Sequence, residues 1–317
     1  MSDCEVKWNI LSLDEWQDKF NKIRRSNLLQ SFEYGVASCK INHQSAKWGV
    51  IYIDGVEAGM IQILEAGILK NMIHGIVVDR GPIWFDGFGD INHAESFIKE
   101  INRQFPKRWG RKRRFIPEFE YSDEILRIFA KYNIKKNRSI QSYQTIWLDL
   151  TKNKEELRSG LKGKWRNSLK KAEGYDMKME WDDSGATLPF LLEKYIEDKK
   201  EKNYSNISPR LLMEMAINLS PKKNLVIGTV IKDKKLIASC LIIIHGASAT
   251  YQIGWISNKA RNHNANNFAL WQAMLYLKSR GIKDFDLGGI NDETATNIKK
   301  FKEGMGGNSV KLCGFYS

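Results

Sequence analysis

The sequence contains few cysteines and few prolines. The four cysteines, at positions 4, 39, 240 and 313, are far apart and form no Cys-x-x-Cys pair. This spacing indicates neither a zinc site nor a disulfide framework, and it favours a reducing, cytoplasmic location. Only six prolines, no long polar tract and 42% hydrophobic residues predict a chain that folds throughout.

Long apolar runs are also missing. The longest, from Leu236 to Ile244, has less than half of the roughly 20 residues that a bilayer-spanning helix needs. It therefore predicts a buried strand. The first twenty residues contain acidic residues and tryptophans where a signal peptide would need a basic start and an apolar core, so no export signal is indicated.

Common catalytic motifs are absent as well. The five histidines are scattered and show no paired-ligand spacing, so we expect no bound metal. Neither a Gly-x-Ser-x-Gly elbow, nor a P-loop, nor a Gly-x-Gly-x-x-Gly fingerprint occurs. Common hydrolase, kinase-type and dehydrogenase chemistry is therefore unsupported.

Positive charge, in contrast, is plentiful. Fifty Lys and Arg residues against 37 Asp and Glu residues give a formal net charge of +13. Such an excess attracts anionic partners, namely nucleic acid, nucleotide diphosphates or anionic lipid surfaces, without selecting among them.

The 317-residue length predicts two domains, and a repeated pattern supports this. Residues 47–67 and 224–244 each combine two apolar strands with a polar turn, so each predicts a β-hairpin. Further strand-like segments and a helical pattern follow each hairpin. In the second half, Phe268, Trp271 and Leu275 share one helix face and Gly281 follows as the helix stop. We expect two α+β units, 1–150 and 151–317, with Thr151 or Asn153 capping a helix at the boundary.

Residues 155–180 carry two stripes if they form a helix. Leu157, Leu161, Trp165 and Leu169 recur every four residues and predict a buried face, while Lys162, Arg166 and Lys170 form an aligned row of cations. Like charges at this spacing repel one another, so an anion such as phosphate would be favoured beside the row. The alternative is a solvated helix face.

A second basic cluster spans Lys107 to Arg114 and includes Trp109. Its cations could bind a nucleic-acid backbone while the aromatic ring stacks on a base. The alternative is an exposed basic loop that binds nothing specific.

The segment from Phe285 to Gly307 is rich in glycine. Its pattern predicts a strand that ends at Gly288-Gly289, then a short helix with Ile298 and Phe301 on its buried side and Lys302 facing outward. Gly304, Gly306 and Gly307 would let the backbone pass close to a ligand, and a lysine fixed there could stabilise an oxyanion or a phosphate. The alternative is a pair of tight turns around a surface lysine.

These segments resemble the Fem family of aminoacyl-tRNA-dependent peptidyltransferases, which contain two acyltransferase-like (GNAT) domains. The resemblance lies in "WRNSLKKA", "NFALWQAMLYLKSRGIKDFDLGG" and "FKEGMGG", and nearer the N-terminus in "LLQSFEYGVASCK" and "DRGPIW". It covers most of the chain in the family's order. The fold that it implies is α+β, with two tandem GNAT-like domains, each a mixed β-sheet flanked by helices.

The resemblance also implies a function. Fem enzymes transfer an amino acid from aminoacyl-tRNA to an amine of a UDP-linked or lipid-linked peptidoglycan precursor, which allows peripheral contact with the inner membrane face. Lys302, beside Phe301, would then stabilise the oxyanion, and Lys40 and Arg166, with Lys162 and Lys170, would bind precursor phosphates. The tRNA would contact Lys107, Arg108, Arg111 and Arg113.

The implied reaction needs no cofactor besides its co-substrate. An aminoacyl ester is already activated, so attack by a neutral amine requires mainly positioning and oxyanion stabilisation. Asp284 and Asp286 fall on one side of the predicted strand, where either could accept the amine's proton. A strand-end salt bridge is the alternative for each.

Two rival functions stay open at this point. An acyl-CoA-dependent GNAT enzyme would use acetyl-CoA in polysaccharide or small-peptide biosynthesis, but Asn264 and Asn266 stand where its pyrophosphate loop needs glycine. A non-catalytic binding role is disfavoured by the Phe301-Lys302 pair. The stretch between Thr187 and Ser220 is too short for the coiled-coil arm of some Fem proteins.

Overall fold

The computed structural model describes residues 2–202, 207–290 and 296–317, and it divides the chain into two units. The first unit comprises residues 1–144 and 310–317, and the second comprises residues 145–309. Each contains a mixed β-sheet flanked by helices, which confirms the predicted fold class. No helix in the described ranges is both long and apolar enough to cross a membrane.

The first unit is built on one six-stranded sheet. Its strands are β1 (Cys4–Trp8), β2 (Ser45–Ile53), β3 (Val56–Ile68), β4 (Ile73–Asp79), β5 (Ile83–Trp84) and β6 (Arg111–Ile116). The order is β1-β2-β3-β4-β6, and β5 pairs with β3. All neighbours are antiparallel except β4 and β6, which run parallel.

Four α-helices accompany this sheet: α1 (Leu13–Phe20), α2 (Phe32–Asn42), α3 (Ile91–Gln104) and α4 (Asp123–Lys131). A 3-10 turn, Leu28–Gln30, precedes α2. The apolar faces of α3 and α4 pack with β3, β4 and β6 in one core. The C-terminal tail joins this core, because buried Tyr316 stacks on Phe129 and pairs with Phe115.

The second unit is built on a seven-stranded sheet. Its strands are β7 (Gln144–Asp149), β8 (Lys178–Asp182), β9 (Leu225–Lys232), β10 (Lys235–His245), β11 (Ser248–Ile256), β12 (Asp284–Asp286) and β13 (Asn308–Lys311). They lie in the order β13-β7-β12-β11-β10-β9-β8. The pair β11 and β12 is parallel, and its connection contains the helix with Phe268 and Trp271.

Seven α-helices lie in the described part of this unit: α5 (Lys154–Gly160), α6 (Gly163–Glu173), α7 (Leu188–Lys202), α8 (Pro209–Leu219), α9 (Asn258–Arg261), α10 (Ala265–Ser279) and α11 (Thr296–Glu303). A 3-10 turn, Ser220–Lys222, follows α8. The buried faces of α5, α6 and α10 pack on β7, β10 and β12 around Trp271 and Phe285.

The repeated plan is confirmed in both halves. Asp54-Gly55 joins β2 to β3, and Asp233-Lys234 joins β9 to β10, each through two residues with positive φ, as the right-handed twist of a hairpin requires. Helix α10 ends at Ser279, and Gly281 (φ 76°) follows its C-cap Arg280. There the Gly281 and Ile282 amides donate to the Lys278 and Leu277 carbonyls in a Schellman motif.

The end of the first unit differs from the boundary expected at residue 150. Asn153 does cap α5 in a capping box with Glu156, but β7 before it pairs with β12 of the second sheet, Leu148 opposite Phe285. The tail after Ser309 returns to the first unit. Neither pairing is local in sequence, so local turn and cap signals could not place the boundary.

Candidate active site

The candidate active site lies in the second unit, where β11 and β12 separate. Their parallel pairing covers Ser248 to Thr250 opposite Asp284 to Asp286 and goes no further in the described sheet, although β11 continues to Ile256. The β10–β11 register shifts beside Tyr251, and such a bulge bends a strand. The parallel ladder therefore ends beside Tyr251.

A glycine turn closes the end of β12 at this point. The Asp286 carboxylate accepts a hydrogen bond from the Gly288 amide at 2.8 Å, and the Thr145 hydroxyl lies within hydrogen-bond distance of both Asp286 Oδ1 and the Gly288 carbonyl. Gly288 has φ 73°, and an added Cβ would lie 2.9 Å from the Tyr251 carbonyl. Only glycine fits between the two strands here.

Lys302 projects into this turn from α11. Its Nζ donates to the Gly289 carbonyl at 3.0 Å and lies 5.7 Å from the centre of the Tyr251 ring. The side chain is 8% exposed. The prediction that Lys302 faces outward is therefore wrong: its long side chain extends across the end of β12 and ends among buried groups.

Burial changes the chemistry of this lysine. Loss of solvation lowers the pKa of Lys302 to about 8, and the nearby Asp286 carboxylate opposes this decrease. At neutral pH the amine is still mostly protonated. The site therefore holds a poorly hydrated cation, which is the form best able to stabilise a developing negative charge.

Phe301 fixes the helix that carries Lys302. Its ring lies 5.9 Å from the ring of Trp165 on α6, and the Lys162 amide donates to the Gly304 carbonyl at 2.9 Å. Trp165 also packs directly against Gly304. The first and last of the three C-terminal Fem-like motifs are thus in contact. Ile298, expected on the buried side, is exposed. The predicted helix start, residues 291–295, lies outside the described residues.

The three later glycines have a structural explanation instead of the predicted approach to a ligand. A Cβ on Gly304 would lie 2.6 Å from Trp165 Cδ1, one on Gly306 2.6 Å from the Gly160 carbonyl oxygen, and one on Gly307 2.5 Å from that of Trp147. Gly306 and Gly307 also have positive φ. The backbone here approaches the protein itself.

The two stripes of residues 155–180 lie on two helices and not on one. Leu157, Leu161, Trp165 and Leu169 are all buried, which confirms the apolar stripe. The backbone is extended at Leu161 and Lys162, so α5 ends before them and α6 begins after them. Lys162 is consequently the N-cap of α6, with Arg166 and Lys170 following at one-turn intervals on its exposed side.

This arrangement strengthens the positive potential at the start of α6. No described side chain caps the first amides of the helix, and the helix dipole places partial positive charge there. Lys162 and Arg166 add full charges at the same end, although Arg166 Nη1 also lies 3.4 Å from the Ser159 carbonyl. The predicted role of these residues in phosphate binding stays a prediction.

The N-terminal motifs occupy the first unit. Gln30 accepts from the Gln62 amide and donates to the Asp79 carbonyl at 2.7 Å, which ties β3 to β4. Gly35 lets α2 lie against Gln62, since an added Cβ would be 2.1 Å from its side-chain oxygen. These residues support the sheet, and Lys40 is exposed on the last turn of α2.

The described strands of the first sheet show no comparable separation. Its parallel strands β4 and β6 pair continuously from His74–Arg111 to Asp79–Ile116. The start of α3 is capped by the Asp90 carboxylate, which accepts from the His93 amide at 2.9 Å. An anion at this helix end would meet a negative charge, so the second unit is the better candidate for the reaction.

The structure changes the composition of the second basic cluster. Arg113 is buried, and its guanidinium donates to the Asn102 side chain and the Phe105 carbonyl, so its predicted contact with tRNA at the surface is wrong. Alternation along β6 turns every second residue inward. Arg108 donates to loop carbonyls, Arg111 donates to the Pro106 carbonyl, and Lys107 is exposed.

Two residues of the site were missed at the sequence level. Thr145 lies 141 positions before its partner Asp286, and no local pattern predicts that contact. Tyr251 could have been noted as a polar aromatic residue inside an apolar strand. Asp284 and Asp286 are both buried, and only Asp286 belongs to the turn below Lys302. No metal-binding group of three or more His, Cys, Asp or Glu occurs in the described ranges.

Comparison with known proteins identifies the domain family of the second unit. A sequence model of the acetyltransferase (GNAT) domain family matches residues 158–302, which lie within the second unit and include Lys302. A search of curated protein sequences gives no significant match.

Several solved structures are similar over nearly the whole chain. That of FemX has a TM-score of 0.79 at 13% identity and covers 98% of this chain and 96% of its own. A conserved protein of unknown function from Bacteroides thetaiotaomicron gives 0.56 at 11% identity, with 98% of both chains covered. The C-terminal domain (DUF2156) of a putative lysylphosphatidylglycerol synthetase from Agrobacterium fabrum gives 0.52 at 14%, covering 96% and 92%.

The match identifies an acetyltransferase (GNAT) domain in residues 158–302, so the second unit contains the domain of a transferase. The fold of the whole chain is similar to that of FemX, as the sequence motifs predicted. At these identities the structural likeness defines the fold, while the acyl donor and acceptor depend on the chemistry of the site.

Proposed function

We propose that the protein transfers an amino acid from aminoacyl-tRNA to an amine of a UDP-linked or lipid-linked peptidoglycan precursor. The observation that carries this proposal is the buried Lys302 ammonium at the end of the β11–β12 pairing. A cation that is buried away from water destabilises the folded state. Stabilisation of the oxyanion in acyl transfer would explain why the site contains one. The co-substrate places the reaction in the cytoplasm.

The reaction needs few groups. The neutral acceptor amine attacks the ester carbonyl, a C–N bond forms, and the carbonyl oxygen becomes an oxyanion that Lys302 stabilises. When the tetrahedral intermediate collapses, the ester C–O bond breaks and the tRNA ribose oxygen leaves. The proton lost by the amine ends on that oxygen, and Asp286, which borders the Lys302 site, is the proposed carrier.

Surface cations would bind the charged parts of both substrates. Lys162, Arg166 and Lys170 in the second unit and Lys40 in the first are the proposed ligands of the precursor phosphates. Lys107, Arg108 and Arg111 are the proposed tRNA contacts. Each contact should contribute to KM with little effect on kcat, since these groups lie on parts of the substrates that do not react.

Label transfer tests the donor and acceptor directly. The protein is incubated with radiolabelled mixed aminoacyl-tRNAs and a panel of UDP-linked and lipid-linked muropeptides, with labelled acetyl-CoA in a parallel reaction. We expect amide-linked label from tRNA in at least one acceptor. Acetyl transfer without aminoacyl transfer would refute the proposal.

A matched pair of variants tests the role of the buried lysine. Lys302→Met removes the charge and keeps the length of the side chain, and we expect kcat to decrease about 100-fold to 1000-fold, as for loss of an oxyanion ligand. Lys299→Met changes an exposed lysine on the same helix and should leave kcat within twofold. Equal effects of the two substitutions would contradict the assignment.

An acyl-CoA donor is the second candidate, and one observation favours it. Helix α10 begins right after β11 and α9, and no described side chain caps its first amides, so they could bind a pyrophosphate. Asn264, its N-cap, adopts φ 52°, a conformation typical of glycine in such loops. The acetyl-CoA reaction above distinguishes the two donors.

A further inference from the structure

Two loops of the first unit lie side by side and form one surface, which we call the loop pair (residues 66–73 and 106–112). Arg108 Nη1 donates to the Met72 carbonyl at 2.9 Å, and the His74 amide donates to the Gly110 carbonyl at 2.8 Å. A Cβ on Gly110 would lie 2.2 Å from the Met72 carbonyl oxygen, so the glycine permits this approach. The loops are therefore connected by hydrogen bonds to backbone carbonyl groups.

Large apolar side chains project from the loop pair into solvent. Trp109 is 82% exposed and Leu69 is 68% exposed, and three further residues are also exposed: Ile68, Met72 and Ile73. Isolated exposed apolar residues are ordinary, but a group on two connected loops marks a surface that contacts something less polar than water.

The backbone of the first loop adds to this argument. Leu69 and Lys70 adopt φ values of 51° and 53°, a region that is unfavourable for residues with a Cβ. A leucine at this position is thus held in an unfavourable conformation and exposed to water at once. Its side chain is 68% exposed, so little burial within the unit offsets this cost.

The charge of the loop pair is uniformly positive. Residues 66–73 and 106–112 contain no Asp or Glu and five Lys or Arg residues. Of these, Lys70, Lys107, Arg108 and Lys112 are exposed. Aliphatic side chains and a tryptophan surrounded by cations match the interface of an anionic bilayer. Nucleic acid would use the cations and the tryptophan but not four exposed aliphatic side chains.

We propose that the loop pair docks the protein on an anionic phospholipid bilayer. Leu69, Met72 and Trp109 enter the headgroup boundary, and Lys70 and Lys112 remain at the level of the lipid phosphates. This docking would bring the protein to a lipid-linked acceptor, and it would replace the tRNA contacts proposed above for Lys107, Arg108 and Arg111, which belong to the same surface. It does not rest on the proposed function, because vesicle binding is measured without acyl donor or acceptor.

Vesicle binding of the full-length chain tests the proposal. Sedimentation with vesicles of phosphatidylglycerol and phosphatidylcholine should bring down the protein, and pure phosphatidylcholine vesicles should bind it at least tenfold more weakly. Leu69→Glu with Trp109→Glu should weaken binding to the anionic vesicles at least tenfold. Lys70→Gln and Lys112→Gln should each weaken it about fivefold, the effect of one basic residue near such a surface.

Matched controls come from elsewhere in the same unit. Val56 is also exposed and begins the thirteen-residue strand β3 that ends at Ile68, so it lies roughly 40 Å from the loop pair. Val56→Glu and the exposed-lysine change Lys22→Gln should alter binding less than twofold. Thermal unfolding followed by circular dichroism verifies that each variant is folded.

Three outcomes would overturn the docking proposal. The first is a wild-type chain that does not sediment with anionic vesicles. The second is a Leu69→Glu, Trp109→Glu variant that is folded and binds vesicles as wild type does. The third comes from a parallel assay with unacylated tRNA. If the same double variant loses tRNA binding and keeps vesicle binding, the loop pair binds nucleic acid.

Discussion

Replacing Lys302 by methionine should make the protein more stable and less active, and the gain in stability should depend on pH. In the unfolded chain this lysine has the ordinary pKa of 10.5, whereas in the folded chain its pKa is about 8. The folded state therefore binds its proton less tightly. At neutral pH the buried ammonium destabilises the fold, and methionine has no such charge.

The size of the effect follows from the two pKa values. A difference of roughly 2.5 pKa units corresponds to about 3 kcal/mol of destabilisation at pH 7. The variant also loses the hydrogen bond to the Gly289 carbonyl, which costs about 1–2 kcal/mol. Lys302→Met should thus raise the free energy of unfolding by about 1–2 kcal/mol at pH 7.

The pH dependence separates this explanation from a simple packing effect. Between pH 8 and 10.5 the unfolded chain binds more protons at this site than the folded chain does, so wild-type stability rises with pH. From pH 7 to pH 9.5 the wild type should gain about 2 kcal/mol relative to Lys302→Met, because the folded lysine becomes neutral.

Denaturant unfolding at both pH values measures the difference. Comparison of the two proteins cancels every titration that they share, and Lys299→Met serves as the control for a lysine on the surface of the same helix. A stability difference between wild type and Lys302→Met that is the same at pH 7 and pH 9.5 would refute the pKa argument, whatever its sign.

Two further predictions concern the supports of the site. Gly306→Ala should lower the free energy of unfolding by more than about 1 kcal/mol, because φ is 79° and the new Cβ would lie 2.6 Å from the Gly160 carbonyl oxygen. Thermal unfolding measures this loss, and an unchanged midpoint would contradict the packing argument. Asn153→Ala should lower the free energy of unfolding by about 1 kcal/mol through loss of the capping box. Asn153→Ser should retain most of the wild-type stability in the same denaturation assay. An alanine variant as stable as the serine variant would argue against the cap.

Much of the fold could be predicted because its signals are local. Apolar strands and polar turns predicted both hairpins, at Asp54-Gly55 and at Lys232 to Lys234, and the second turn forms at Asp233-Lys234. The glycine at 281 and the asparagine at 153 marked a helix end and a helix start through hydrogen bonds that span only a few residues.

The candidate site was only partly predictable. The sequence singled out Phe301 and Lys302 and the basic row on α6, but it placed Lys302 on the surface and gave the later glycines to a ligand. Both errors have one cause. A helical period predicts which residues share a face, whereas the burial of a particular side chain depends on the element that packs against it.

The sequence by itself determined the repeated α+β plan, the strand and helix positions and the excess of positive charge, since these depend on residue type and short-range spacing. Only the tertiary structure decided where β11 and β12 separate, that Thr145 supports Asp286 across 141 positions, and that Lys302 is buried beside Tyr251. These features require contacts between residues distant in sequence. Their formation depends on how the elements pack, and the same packing gives the lysine its lowered pKa.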